Sequence, residues 1–540
     1  MNLTLEEIKN LEPLTRADLA LATREELIGL IEGEQGLRAS IIQEFIATLT
    51  REMIFKDKAF IAEEKFVRFR TVVFDKRSER STSLRSGSKK KKKNEPAQPE
   101  ATSKLPSERY PNVDIIERIV ECNSDPFCPC CGETMPAVEM FDVTEALSVI
   151  PKKFIIVRQK KRKYRCSDCK SGIATTPSPP RVIPGSAYSD ELIIDASLSK
   201  YCDLVPMERY CKIALRQGLD GLPPNSLIET SHKLADFFLP NYEKIRSETL
   251  ENRVILADET YHRMLEGDDK QRWFLWAFSS QTSCFFEYHD TRSGDVASNI
   301  LANSKCEVLV SDVYSGYAKA VNDANQKRLA EGIGNKVVNA YCNSHARRGF
   351  VFDCERGDHG ATFMIKTFDH LFFIERQCQG KTKDEILAIR QTLLPSFKEM
   401  KIFSESKLSE LSEKSALSKA YSYFARNFEQ LTYFIGDHET PMTNNQSERL
   451  LRSPVIGRKI WYGTHSERGA LTASIHQTLI ESCKLIDLNP REYYRETVFR
   501  SLQKLSALTP QEMKYMLAQK TNSPPPAIFL KDLTPNPYRG

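Results

Sequence analysis

Val254-Ile255-Leu256-Ala257-Asp258-Glu259-Thr260 is an apolar run that ends abruptly in acid. It reads as a buried strand whose end carries a carboxylate to the rim of a sheet. Val308-Leu309-Val310-Ser311-Asp312 repeats the design. Presenting a carboxylate after burying an apolar run is costly without a partner, and a metal ion is the simplest one. Successive strand residues point to opposite faces, so Asp258 and Glu259 cannot both serve one site. Asp258 is the choice, because its place after the apolar run matches that of Asp312. The plainer reading of such an aspartate is a turn residue or helix cap. Its repetition in one ordered pattern weighs against that.

The surrounding sequence extends the pattern. Strands are expected from Arg272 to Phe278 and from Cys284 to Tyr288, with Ser279 to Ser283 as the turn. A helix capped by Ser293 runs to Leu301, another begins near 315, and Lys336 to Tyr341 closes the set as a further strand. Three strands, helix, strand, helix, strand is the order by which a ribonuclease H-like fold sets two aspartates side by side for metal-dependent phosphoryl transfer. Residues 350–425 are helical, charged and interrupt the sheet pattern. Beyond them, Thr443 or Asn444 would cap a helix with Glu448 near its start. Arg449 and Arg452 are three apart and share a face of it, and Gly457-Arg458-Lys459 follows. Glu448 is open to two readings: a surface ion pair, or a third metal ligand with phosphate-holding arginines beside it.

Upstream, residues 1–75 read as amphipathic helices, either a hairpin or a dimerising coiled coil, and 76–110 as a basic linker containing Lys89 to Lys93. Within 111–180, Cys128-Pro129-Cys130-Cys131-Gly132 and Cys166-Ser167-Asp168-Cys169 are two knuckles separated by strand-like Phe154-Ile155-Ile156-Val157. That spacing suits a zinc ribbon holding one structural Zn²⁺. Cys130 competes for a place; Cys128, Cys131, Cys166 and Cys169 keep the two-residue spacer. Lys160, Lys161, Arg162 and Lys163 give the ribbon a basic edge suited to DNA. Residues 181–250 are helical: a helix capped by Ser189, one over 206–217 ending at Gly218, and one from Pro223-Pro224 to about Phe238. The short turn between the last two resembles a helix-turn-helix.

The chain of 540 residues is therefore multidomain α/β. Its boundaries fall at 251–349 for the first part of the core, 350–425 for a helical insertion, 426–500 for the second part and 501–540 for a tail. With 40% hydrophobic and 28% charged residues and a net charge of +5, the partner class is set by where the basic residues cluster rather than by the total. No apolar run is long enough to span a bilayer, and the expected location is cytoplasmic, at the nucleoid when bound to DNA. The 14 cysteines do not form a secreted disulfide framework.

At this point the chain resembles bacterial transposases of the insertion-sequence-66 family. The matching pieces, in family order, are Phe74 to Arg80, the two knuckles, Asp258-Glu259-Thr260, Ser311 to Tyr317, Cys342-Asn343-Ser344-His345-Ala346-Arg347-Arg348, Asn444 to Arg449, and Gly457-Arg458-Lys459. Leu485 to Tyr494 resembles the family's C-terminal region. The resemblance implies a DDE-type core in which Asp258, Asp312 and Glu448 hold two Mg²⁺ ions (or Mn²⁺), with Arg449, Arg452, Arg458 and Lys459 on phosphates. Cys342 and His345 match a signature that follows the second acid in insertion-bearing transposases; the plainer reading is a Cys and a His packed at a helix start, and a zinc pair is disfavoured because no second Cys/His pair of similar spacing is near. The implied partners are DNA, as terminal inverted repeats and target, a second or further copy of the chain, and accessory proteins of the same element. Thr443 departs from the Asp usual before the two Asn, as do Ile460 and Tyr462-Gly463 from the residues usual after Gly-Arg-Lys. Alternatives sharing these residues are a catalytically inactive DNA-binding relic and a structure-specific nuclease.

Overall fold

The computed structural model describes residues 105–520, apart from 112, 121–126, 128–129, 136–140, 150–151, 168–170, 172 and 267–271. The expected N-terminal helices, the run Lys89 to Lys93 and the tail beyond 520 lie outside the described residues. Those described fall into a smaller unit, within 78–178 and 211–222, and a larger one, within 179–210 and from 223 onward.

In the smaller unit, β1 (Lys163–Arg165) pairs antiparallel with β2 (Ile173–Thr175), Lys163 opposite Thr175. Cys166 leaves β1 directly, so the second knuckle lies in the connection of this hairpin. An isolated bridge between Phe127 and Thr134 brackets the first knuckle, and Gly132 there takes the left-handed φ of 77°. The strand expected over Phe154–Val157 does not form: the segment joins no sheet among the described residues, and Ile156 is 93% exposed. Apolar sequence alone cannot make a strand without a neighbour to pair with.

The larger unit begins with α1 (Asp190–Tyr201), whose cap Ser189 accepts from the Leu192 N–H as its sequence predicts. α2 (Met207–Arg216), whose residues from 211 onward belong to the smaller unit, and α3 (Pro224–Leu250) follow in the chain. α3 runs well past the expected end near Phe238 and carries Pro240 within it. A proline costs a helix one hydrogen bond. Here Phe238, Tyr242 and Ile245 are buried, and the Asn241 amide donates to the Tyr493 hydroxyl and the Leu508 carbonyl. Burial on both sides of the proline outweighs the lost bond.

Five strands form the central sheet: β3 (Val254–Arg263), β4 (Arg272–Ser279), β5 (Cys284–His289), β6 (Val308–Ser311) and β7 (Val338–Tyr341). Their spatial order is β5-β4-β3-β6-β7, with β3, β4 and β5 antiparallel and β6 and β7 parallel to β3. The parallel steps need crossovers, supplied by α4 (Gly294–Ala302) and α5 (Ser315–Glu331). These helices nearly touch: a Cβ on Gly294 would lie 2.3 Å from the Gly316 carbonyl oxygen. One sheet face packs Ile255, Ala257, Trp276 and Phe278 into a core shared with Phe238, Ile300 and Tyr317. α1 and α3, which the sequence sets apart as a DNA-binding region, thus share their core with the sheet. The other face carries Leu256, Val308, Val310 and Ala340.

After β7 the chain enters a helical insertion: α6 (Asn343–Glu355), α7 (His359–Glu375), α8 (Lys383–Gln391), α9 (Leu394–Leu408), α10 (Ala416–Arg426) and α11 (Phe428–Thr432). It has its own core, including Phe350, Phe368, Phe397 and Phe424. Arg390, 4% exposed, knots its exit. Its guanidinium donates to the Phe434 and Thr440 carbonyls at 3.0 Å, to the Asp437 carbonyl at 2.5 Å and to Glu375 at 2.6 Å. Arg253, just before β3, pairs with Asp437 and Glu439 at 2.6 Å.

The chain then forms α12 (Asn445–Trp461), α13 (Glu467–Leu485), α14 (Pro490–Leu502) and α15 (Pro510–Lys520). α13 covers edge strand β5: its Thr478 and Ser482 hydroxyls accept from the Phe286 and Cys284 N–H groups, which blunts an otherwise open edge. Gly463, at φ 122°, lies so close to β3 that a Cβ would sit 2.1 Å from the Arg263 carbonyl. The Tyr462-Gly463 departure is therefore where α12 ends and the chain rejoins the sheet. No helix among the described residues is long and apolar enough to cross a membrane.

Candidate functional site

The parallel register places Val254 opposite Val308 and Leu256 opposite Val310. Continued, it sets Asp258 beside Asp312. Asp258 is not at a strand end, as its sequence suggests. β3 continues against β4 to Arg263, and only the parallel pairing stops before Asp258. β6 ends at Ser311, and the chain turns into α5 with an Asp312 carboxylate oxygen accepting from the Tyr314 N–H at 3.0 Å. Glu259 points to the opposite face. Its side chain, 2% exposed, is held by Arg292 at 2.6 Å and the Tyr317 hydroxyl at 2.5 Å. The alternation that favours Asp258 over Glu259 is realised.

Glu448 arrives from the first turn of α12. Asn444 sits at the cap position, but its side chain makes no cap bond. Instead its amide donates to the Ala257 carbonyl at 2.8 Å, one residue before Asp258. Ser447 meets Ser279 hydroxyl to hydroxyl at 3.2 Å, and Gln446 donates to the Ser280 carbonyl. The Asn343 amide clamps the approach by donating to the Leu431 and Met442 carbonyls. Leu450 and Leu451 complete the docking against Leu275, Ala277 and Phe286. The third acid is thus seated on the sheet face that Asp258 shares with Leu256.

The electrostatics reflect this convergence. Burial, and then the charges of Glu259, Asp312 and Glu448, hold the Asp258 carboxyl well above the usual carboxylate range. Among the described residues no lysine or arginine pairs with Asp258 or Asp312. Glu448 is faced by Arg348 and by the Nε2 of His345, each at 3.4 Å. Burial and Arg348 lower the His345 pKa, so this imidazole is neutral near pH 7 and its contact with Glu448 is not an ion pair. Crowded, under-compensated carboxylate oxygens are a donor set that fits hard divalent cations.

Cys342 caps α6, and its sulfur accepts from the Asn444 N–H at 3.1 Å. Cys342, His345 and Glu448 bring ligand atoms within 4.8 Å of one another. The Cys342/His345 spacing is visible in the sequence; the addition of Glu448 is not. Arg348 is likewise missed by sequence reasoning, since nothing local links it to Glu448.

The basic candidates separate. Arg449, Arg452 and Lys459 are exposed on α12, whereas Arg458 is half-buried, its guanidinium 5.5 Å from the Tyr261 ring centre. Burial lowers the pKa of Arg458. In the smaller unit Lys160, Lys161, Arg162 and Lys163 are exposed, with Lys161 donating to the Ser178 hydroxyl. Cys131 and Cys166 are exposed; Cys128 and Cys169 lie outside the described residues.

Residues 185–472, more than half of the chain, match the family model described as "Transposase IS66 family". The chain belongs to the IS66 transposase family. The match spans both aspartates, the insertion and Glu448. Residues 125–170 match the "zinc-finger binding domain of transposase IS66", which takes in all four knuckle cysteines. An IS66 transposase acts on DNA, and its finger is a zinc-binding module. Relatives from Sinorhizobium fredii (strain NBRC 101917 / NGR234) align over most of their length. "Uncharacterized protein y4hP" is 26% identical over 434 residues, covering 75% of this chain and 77% of the relative. "Uncharacterized protein y4qI" is 26% identical over 432 residues, covering 75% and 76%. "Uncharacterized protein y4jD" is 24% identical over 410 residues, covering 72% and 78%.

Proposed function

We propose that this IS66 transposase binds the terminal inverted repeats of an insertion sequence, cuts its ends and joins the freed 3′-hydroxyls to target DNA. Mg²⁺ or Mn²⁺ would be held by Asp258, Asp312 and Glu448. The observation that carries the proposal is that strand register and the Asn444 bond bring the segments bearing three acids, distant in sequence, to one sheet face, with no lysine or arginine paired to the two aspartates among the described residues. The order β5-β4-β3-β6-β7, with an acid on β3, one after β6 and one on a following helix, supports a ribonuclease H-like reading.

When bound, a pair of divalent ions supplies an activated hydroxyl nucleophile and stabilises the leaving 3′ oxygen of an in-line displacement. The protein's part is positional. Asp258 and Asp312 are fixed by strand register, and Asn444 locks the helix bearing Glu448 to the strand bearing Asp258. Arg348, beside Glu448, and exposed Arg449, Arg452 and Lys459 are placed to hold phosphates by charge-assisted hydrogen bonds. Arg458 is seated on the Tyr261 ring. The knuckle cysteines would hold one Zn²⁺, leaving the Lys160–Lys163 edge and the 181–250 helices to recognise the repeats. Joining two ends calls for at least two copies on DNA, with accessory proteins of the same element.

The test uses purified protein, Mg²⁺ and a duplex carrying the element's ends. Asp258→Ala, Asp312→Ala and Glu448→Ala each abolish cleavage while gel-shift binding of the ends persists. Cleavage retained by any of the three rejects its assignment. Cutting without a joined product indicates a nuclease, and binding without cutting indicates a relic.

A further inference from the structure

The recombinase reading uses Glu448 but leaves Cys342 and His345 idle, although their ligand atoms and those of Glu448 lie within 4.8 Å of one another. Cys342 is fully buried at the start of α6, and its sulfur accepts the Asn444 N–H at 3.1 Å. His345 stands three residues further along the same helix turn, which puts both side chains on one face. Its Nε2 lies 3.4 Å from a Glu448 oxygen, and its Nδ1 is buried with no hydrogen-bond partner among the described residues. The imidazole therefore has a nitrogen that the fold encloses and leaves uncommitted.

Thiolate plus imidazole is the wrong chemistry for Mg²⁺, which takes oxygen ligands, and the right one for zinc and its neighbours. Zn–S near ~2.3 Å and Zn–N near ~2.0 Å put tetrahedral ligand atoms roughly 3.5 Å apart. We propose that Cys342, His345 and Glu448 form a transition-metal site of the Zn²⁺ class, separate from the finger. It has one coordination position left for water or a substrate oxygen. Because Glu448 belongs to this set and to the proposed Mg²⁺ set, occupancy here draws the third acid toward α6 and opposes Mg²⁺ loading. That consequence rests on the recombinase reading; the binding of zinc does not.

The test counts metal. Full-length protein is equilibrated with buffered free Zn²⁺ in the absence of Mg²⁺ and DNA, and bound zinc per chain is measured by atomic emission. Two equivalents are expected in the parent, and one in Cys342→Ser, in His345→Ala and in the finger variant Cys131→Ser/Cys166→Ser. Partly exposed His345 tolerates truncation if Cys342→Ser does not fold, and circular dichroism establishes folding in each case. Co²⁺ loading of the finger variant should still give a sulfur-to-cobalt charge-transfer band, lost on adding Cys342→Ser. A single equivalent in the folded parent overturns the proposal, as does a second equivalent that survives both Cys342→Ser and His345→Ala. No DNA chemistry enters the measurement, so its failure and that of the recombinase reading are seen separately.

Discussion

Replacing Asp258 by asparagine removes a charge but keeps the shape and an oxygen that can accept the Glu259 N–H, now at 2.9 Å. Burial, and then three neighbouring carboxylates, raise the Asp258 pKa. Glu259 is compensated by Arg292 at 2.6 Å and Glu448 faces Arg348 at 3.4 Å, which leaves Asp312 as the uncompensated neighbour. A neighbouring like charge typically shifts a carboxyl by about a unit, and one unit is worth about 1.4 kcal/mol, so relief of the repulsion is on the order of 1–2 kcal/mol. The native pKa lies above the unfolded one, so the native state holds more protons between the two. The parent's stability therefore falls as pH rises through that window. Without Mg²⁺ at pH 7.5, Asp258→Asn should be more stable by about 1–2 kcal/mol, a rise of a few degrees in Tm. The gain should vanish below about pH 4, where the aspartate is protonated in both states. Mg²⁺ should reverse the order, because the parent gains about 2.7 kcal/mol at a hundredfold excess over Kd and the variant gains little. Thermal melts at both pH values, with and without Mg²⁺ and with the finger zinc retained, read all of this. A variant less stable than the parent without Mg²⁺ would refute the reasoning, since that is how a turn or cap aspartate behaves.

Asn444→Ala should cost about 1–3 kcal/mol and lower cleavage about a hundredfold, with end binding intact, because the Ala257 carbonyl loses its donor and Glu448 its anchor. Parent-like cleavage by this variant would show that the Asn444 bond does not position the third acid. Arg390→Ala should cost about 3–5 kcal/mol by denaturant unfolding, since it leaves Glu375 and several carbonyls at the exit of the insertion without their cation. A loss below about 1 kcal/mol would mean that the insertion holds its exit by other contacts.

The two aspartates were legible because each follows an apolar run, and burial of such a run is a local property with a fixed period. The same logic misjudged extents. Residues 259–263 of β3 are polar on both faces and were read as beyond the strand, yet β4 pairs with all of them. Phe154–Val157 has strand-like composition and is not a strand. α3 passes Pro240 because burial on both sides of it is decided by the sheet, not by the proline.

By itself the sequence determined the order of strands and helices, the cysteine spacing of the finger and the face on which Asp258 lies. All of these follow from periodicity, spacing and residue chemistry within short windows. Tertiary structure alone decided that Asn444 would spend its side chain on the Ala257 carbonyl rather than on a cap. It also decided that Arg348 would face Glu448, and that Cys342 and His345 would share that acid. Those contacts join segments separated by the whole helical insertion. Which donor meets which acceptor across such a gap depends on how two independent cores pack, and no local pattern encodes it.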